Sequence, residues 1–247
     1  MKALASRMAT SISHSKQKSV IVFDFAGPGD QFTALGKDLA EELRGALAQS
    51  GATFTVKDRA EIIDALHERH YALQTLLAPD FAVSLAQDLN ADTAVVGKLS
   101  LNGANLDVLV EAYRTNRKKR ISSLRYSLTL ADDSRVLLAQ NIGDNLRPDY
   151  PHFPAKGYKS ASCLHCPNPQ YTEQAVSKHI EGSVILEAVI GTNGRATEWL
   201  VTKWLPDGLT EKAIAAVQSW RFKPATGPDS KAAAVVMPIE VTFRLYK

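Results

Sequence analysis

The spacing of apolar residues changes period along the chain, and those changes divide it into two halves. Val20-Ile21-Val22-Phe23-Asp24-Phe25 is an apolar run broken by one carboxylate, which predicts a buried first strand, and Gly27-Pro28-Gly29-Asp30 turns the chain after it. From Phe32 to Gln49 the period becomes helical, with Leu35, Leu39, Leu43 and Leu47 recurring every fourth residue before Gly51. Phe54-Thr55-Val56 predicts a second strand. Helical spacing returns over Arg59 to Tyr71 (Ile62, Ile63, Leu66) and over Asp80 to Leu89 (Val83, Leu85, Leu89). Thr93 to Ser100, Leu106 to Tyr113, Ile121 to Leu130 and Arg135 to Gln140 then read as a meander of strands, with Asn102-Gly103 at its first turn. A βαβ opening followed by antiparallel strands predicts an α/β sandwich domain over residues 19–142.

The second half has a different order. Ile180 to Ile190 is a β-branched run, and Asn193-Gly194 favours a tight hairpin turn into a return strand from Arg195 to Lys203. Thr210 is placed to cap a helix, with Glu211 in its first turn. Ala213, Ile214, Val217 and Trp220 carry that helix to about Phe222, where Trp220-Arg221-Phe222-Lys223-Pro224 forms an aromatic plug. The aromatics read first as core, since a ring at helical spacing is usually buried. Val235 to Leu245 resumes as a strand, and Pro238 inside it lacks an N–H, which argues for an edge position. The result is an α+β domain over 171–247, an antiparallel sheet covered on one face. Between the halves, residues 143–170 hold Pro148, Pro151, Pro154, Pro167 and Pro169. Such a segment reads as an extended tether of about 28 residues, spanning at most roughly 90 Å in polyproline geometry.

Tyr171, the Ile180-Glu181-Gly182-x-Val184 run, Asn193-Gly194-Arg195, Trp220-Arg221-Phe222-x-Pro224 and Val241-x-Phe243 occur in an order that resembles the TonB carboxyl-terminal domain family over residues 165–247. The resemblance implies a non-enzymatic protein of the periplasm or cell envelope that takes part in energy-coupled transport. It implies a protein partner, an outer-membrane receptor segment or envelope component, captured as an added strand. Val235, Val236, Met237, Ile239, Val241 and Phe243 are then the candidate partner-binding residues, and a homodimer is possible. The first half resembles the amino-terminal domain of TolB and the CsgG superfamily, through Val22-x-Asp24-Phe25, Leu35-Gly36-x-x-Leu39-Ala40-x-x-Leu43, Val56-x-Asp58-Arg59 and Ala91-Asp92-x-x-Val95-x-Gly97. That superfamily lies in envelope assemblies and generally lacks enzymatic chemistry.

Composition adds limits. A hydrophobic fraction of 45% supports real cores in 247 residues, and a net charge of +3 gives no argument for nucleic acid. Residues 1–18 carry Lys2, Arg7, Lys16 and Lys18 without the apolar stretch of about 7–15 residues that a signal peptide needs, and read as disordered. No run approaches the roughly 20 apolar residues of a membrane span, although TonB transducers carry an amino-terminal membrane helix. Either an anchor is missing from the chain as given, so that membrane association comes through it or a partner, or this is a soluble relative that only binds.

Chemistry is sparse. Cys163-Leu164-His165-Cys166 is the candidate disulfide, contributing about 2 kcal/mol of loop entropy if the protein is exported. A metal site recruiting His165, His152 or His179, or a redox pair, are the other readings of the same cysteines. Arg114 to Arg120 is a dense basic run at a predicted hairpin tip, where solvated charge is the default and attraction to anionic phospholipid the functional alternative. Asp24 reads as a turn-capping acid before Gly27. No catalytic motif, cofactor loop or metal-ligand spacing appears, which leaves an envelope binding protein, a scaffold without energy transduction, or a redox or metal protein using the two cysteines.

Overall fold

The computed structural model describes residues 2–143, 146, 147 and 149–245. It divides into two compact units, Met1–Arg69 with Leu76–Gly143, and His70–Thr75 with Asp144–Lys247.

The first unit runs α1 (Lys2–His14), β1 (Ser19–Val22), β2 (Ala26–Gly27), β3 (Gln31–Phe32), α2 (Ala34–Ala48), β4 (Thr55–Val56), α3 (Arg59–Glu68), α4 (Pro79–Asp88), β5 (Thr93–Asn102), β6 (Asn105–Arg114), β7 (Lys119–Thr129) and α5 (Asp132–Ala139). Strand β1 pairs in parallel with β4 and β5, and β5, β6 and β7 follow as an antiparallel meander. Val20 and Val22 join the cluster formed with α1 and α2, while Ile21 and Phe23 alternate away from it and are equally buried. That two-sided burial is why the four consecutive residues Val20 to Phe23 are all apolar. This is the expected α/β sandwich.

Two expectations fail here. Residues 1–18 are not disordered: Leu4, Ala5, Met8, Ala9 and Ile12 repeat at helical spacing and are buried in the main core, so α1 is a structural helix. A search for a continuous apolar stretch misses a helix whose apolar face is one side of a polar sequence. Residues Arg135 to Gln140 are not a strand but the greater part of α5, opened by Asp132 and Asp133, whose charges favour a helix amino terminus.

The second unit runs β8 (Ser162–His165), α6 (Glu173–Ser177), β9 (Gly182–Ile190), β10 (Ala196–Lys203), α7 (Leu209–Ser219), β11 (Arg221–Lys223), β12 (Ala225–Thr226), β13 (Ala232–Ala233) and β14 (Val235–Phe243). Its main sheet is antiparallel in the order β10-β9-β14. The helix stops at Ser219, short of the expected Phe222, because Trp220 is already extended and Phe222 lies in β11. Thr210 does not cap it. Gly208, left-handed at φ 79°, is the N-cap residue, and the buried Thr210 hydroxyl instead accepts from Leu205 N–H and donates to Leu205 C=O, each at 2.9 Å.

The expected tether is also corrected, since its described residues are bonded into the second unit. Phe153 N–H donates to Val236 C=O at 2.8 Å, Lys159 and Thr226 exchange two backbone bonds, and β8 pairs with β11. Proline holds a chain extended, and the N–H groups between the prolines remain free to complete neighbouring strands.

Burial of α1 is directly measurable. Met8 is fully buried, so Met8→Ala should lower the unfolding free energy by about 2–4 kcal/mol in a denaturant titration. An unchanged midpoint would restore the disordered reading.

Candidate functional site

The last strand presents the clearest unfinished surface. Strand β14 pairs with β9 along its whole length, Val235 opposite Ile190 through Phe243 opposite Gly182, and is the terminal strand of its sheet. On its outer side Val236 N–H donates to Pro151 C=O at 2.9 Å and its C=O accepts from Phe153 N–H at 2.8 Å. Backbone groups alternate sides along a strand, so Pro238, Glu240 and Thr242 face the same outer rim as Val236. Pro238 costs β9 no ladder bond, because its missing donor lies on that rim.

The candidate residues divide accordingly. Val235, Val236, Ile239, Val241 and Phe243 are buried and Met237 is half-buried. Their side chains fill the unit, and apart from Val236 their backbone groups face β9. The rim beyond Pro151–Phe153 belongs to Pro238, Glu240 and Thr242, all exposed and none among the candidates. No signal in the sequence picks them out, because side-chain alternation reports the face of the sheet and not the edge that the backbone groups address.

The rim ends in a cleft of about 360 Å³ lined by Asn168, Pro169, Tyr171, Thr242, Phe243 and Arg244. Tyr171 meets Phe243 edge-on with ring centroids 5.4 Å apart, and its hydroxyl donates to Ile180 C=O at 3.1 Å. The opposite edge of the sheet is occupied at Val201, which accepts from Ala72 N–H and donates to His70 C=O, with Tyr71 bridged in parallel.

The aromatic plug holds the second surface. Trp220, 8% exposed, donates from Nε1 to Pro167 C=O at 3.0 Å and meets Phe222 with ring centroids 6.1 Å apart. Phe222 N–H donates to Gly194 C=O at 2.9 Å, so the hairpin turn and the plug are directly bonded. Gly194 has φ +70°, and a Cβ there would stand 2.0 Å from Phe222 C=O. Outside the plug, Cys163 in β8 and Cys166 just past its end are joined in a disulfide; all four residues of β8 are exposed and Cys166 is half-buried. Among the described residues no three His, Cys, Asp or Glu side chains converge to hold a metal ion.

In the first unit Asp24 is no turn cap. Its carboxylate, 2% exposed, takes a forked ion pair from Arg59 at 2.6 to 3.1 Å, because an acid at the end of a two-sided buried strand needs a charged donor. On β6, burial alone would raise the Glu111 carboxyl, but hydrogen bonds from Tyr113, Arg120 and Ser123 outweigh it and hold Glu111 below the usual carboxylate range. Burial and the same carboxylate push the Tyr113 hydroxyl up. The basic run sits at the β6–β7 tip as expected, anchored by buried Thr115, whose hydroxyl donates to Ala91 C=O at 2.7 Å.

Residues 167–245 match the family model of the Gram-negative bacterial TonB protein C-terminal, so the second unit carries a TonB-type carboxyl-terminal domain. Similar solved structures include the carboxyl-terminal domain of LpoB from Salmonella enterica, at 19% identity and TM-score 0.43, covering 52% of this chain and 95% of that one. Lipoprotein GNA1162 from Neisseria meningitidis is similar at 14% identity and TM-score 0.37, covering 47% and 82%. The TonB carboxyl-terminal domain of Pseudomonas aeruginosa is similar at 23% identity and TM-score 0.31, covering 40% and 96%. No curated protein matches the chain. No helix among the described residues is long and apolar enough to cross a membrane.

The turn geometry yields a prediction. Gly194→Ala combines a left-handed φ with an impossible Cβ approach and should cost about 2–4 kcal/mol, read as a shift in the denaturant midpoint. Thr192→Ala, in the same turn, serves as the control and should change stability by about 0.5 kcal/mol or less.

Proposed function

We propose that this chain is a protein of the bacterial envelope whose second unit binds a protein partner by taking an extended segment onto the outer rim of β14. The observation that carries the reading is the rim itself: past Val236, backbone groups at Glu240 and Thr242 face outward from a terminal strand within the TonB-type domain. Two donors and three acceptors, counting Pro238 C=O, offer about five main-chain bonds at roughly 0.5–1.5 kcal/mol each. The buried side chains behind the rim hold it rigid, and rigidity limits the ordering cost of capture.

The finer reading follows the family. The partner is a receptor segment from the outer membrane, and the binding serves energy-coupled transport. The functional division follows the two units, the first serving a separate recognition task and the second, with the proline-rich segment bonded into it, the capture. The family's role is non-enzymatic, and no step of chemistry is assigned to either unit.

The rim makes a sharp test. Glu240→Pro removes one outward donor and leaves the β9 ladder intact, so affinity for receptor plug peptides, measured by titration calorimetry, should fall about tenfold for one lost bond of roughly 1.4 kcal/mol. Amide NMR shifts on peptide addition should centre on Glu240 and Thr242. Shifts confined to residues 19–142, or a Glu240→Pro variant that is folded and binds as well as the parent, would overturn the proposal.

A further inference from the structure

The exposed disulfide is a poor staple. Cys163 and Cys166 are three residues apart, so the closed loop constrains only Leu164 and His165 and ties no distant elements together. Strand β8 is held without it, through its ladder to β11 and through the Trp220 Nε1–H bond to Pro167. The bond therefore contributes only the roughly 2 kcal/mol of so short a loop, while the surrounding hydrogen bonds hold the strand in place.

Three features suit it to a different task. First, Cys163 and its neighbours in β8 are exposed while Cys166 is half-buried, so an incoming thiolate can approach from the Cys163 side. Second, the strand paired with β8 carries two cations on either side of Phe222, which lies opposite Cys163: Arg221 is opposite His165 and Lys223 opposite Ser162. Cations beside a cysteine favour the thiolate that must leave when the disulfide opens. Third, Leu164 is 68% exposed, the most exposed of the large hydrophobic residues described, and it stands between the two cysteines. A protein that docks over the sulfurs would take this apolar side chain out of water.

We infer that Cys163–Cys166 is a thiol–disulfide exchange site that accepts electrons from a partner protein dithiol docked on Leu164. In the exchange, a partner thiolate attacks one Sγ and forms a mixed disulfide. The Cys163–Cys166 bond breaks, and its electron pair leaves on the other Sγ, which takes a proton. The partner's second thiolate then attacks the mixed disulfide and releases the remaining Sγ as a thiol. Two electrons and two protons pass to this chain, and the partner leaves as a disulfide.

The test uses the full chain with reduced thioredoxin as the probe dithiol protein and dithiothreitol as the small-molecule control. Thiol appearance is followed by alkylation and mass spectrometry. Thioredoxin should open the disulfide at least about tenfold faster than dithiothreitol at equal concentration. Leu164→Asp should slow the thioredoxin reaction about tenfold while changing the dithiothreitol rate by less than about twofold. A Cys163→Ser/Cys166→Ser variant with an unchanged circular dichroism spectrum should establish that the bond is dispensable for the fold. Resistance to thioredoxin, equal slowing of both reactions by Leu164→Asp, or unfolding of the double-serine variant would each overturn the inference. None of these outcomes bears on strand capture at β14.

Discussion

A three-stranded sheet has two rims, and every backbone N–H and C=O on them must find a partner in the chain, in water or in another molecule. The second unit depends on how this requirement is met. At Val201 the β10 rim is completed by His70–Ala72, and at Val236 the β14 rim is completed by Pro151–Phe153. Each of these chain segments engages a single strand residue. The backbone groups of Pro238, Glu240 and Thr242 are left facing outward, and the buried side chains of Ile239, Val241 and Phe243 between them anchor the strand. A rigid, partly completed edge is the physical basis of the capture reading.

The same requirement explains why the proline-rich stretch is not a free spacer. Prolines bar residues 151–169 from forming a helix, and outside the turn closed by Tyr158 N–H to Ala155 C=O the N–H and C=O groups of the segment seek strands elsewhere. Val236, Thr226 and β11 supply them. The Trp220 indole and the Gly194 turn then lock β11 to both neighbours, which places the disulfide strand on the outside of a fixed element. Order in this region comes from many short backbone contacts and one aromatic anchor.

Much of the fold was legible in residue spacing. The Val20–Phe25 run, the Leu35 to Leu47 stripe, the Asn193-Gly194 turn and the Val235–Phe243 alternation each carry a local pattern that, with its flanking turn residues, points to the element found. The failures share a cause. Residues 2–14 and 132–139 have short, diluted patterns whose meaning depends on the surface they meet, and α1 becomes a helix with a buried face only against α2 and β7. Asp24 is similar: a lone acid in an apolar strand fits a turn cap until Arg59, 35 residues away, is brought beside it.

The candidate site divides along the same line. Local chemistry determined that the last strand is an edge strand, because a proline cannot donate to a ladder, and that the two cysteines are close enough to pair. Which rim groups are open, and which are already completed by the chain's own distant segments, was decided by tertiary structure alone. Hydrogen-bond direction along a strand depends on register, and register is set by contacts between residues far apart in sequence.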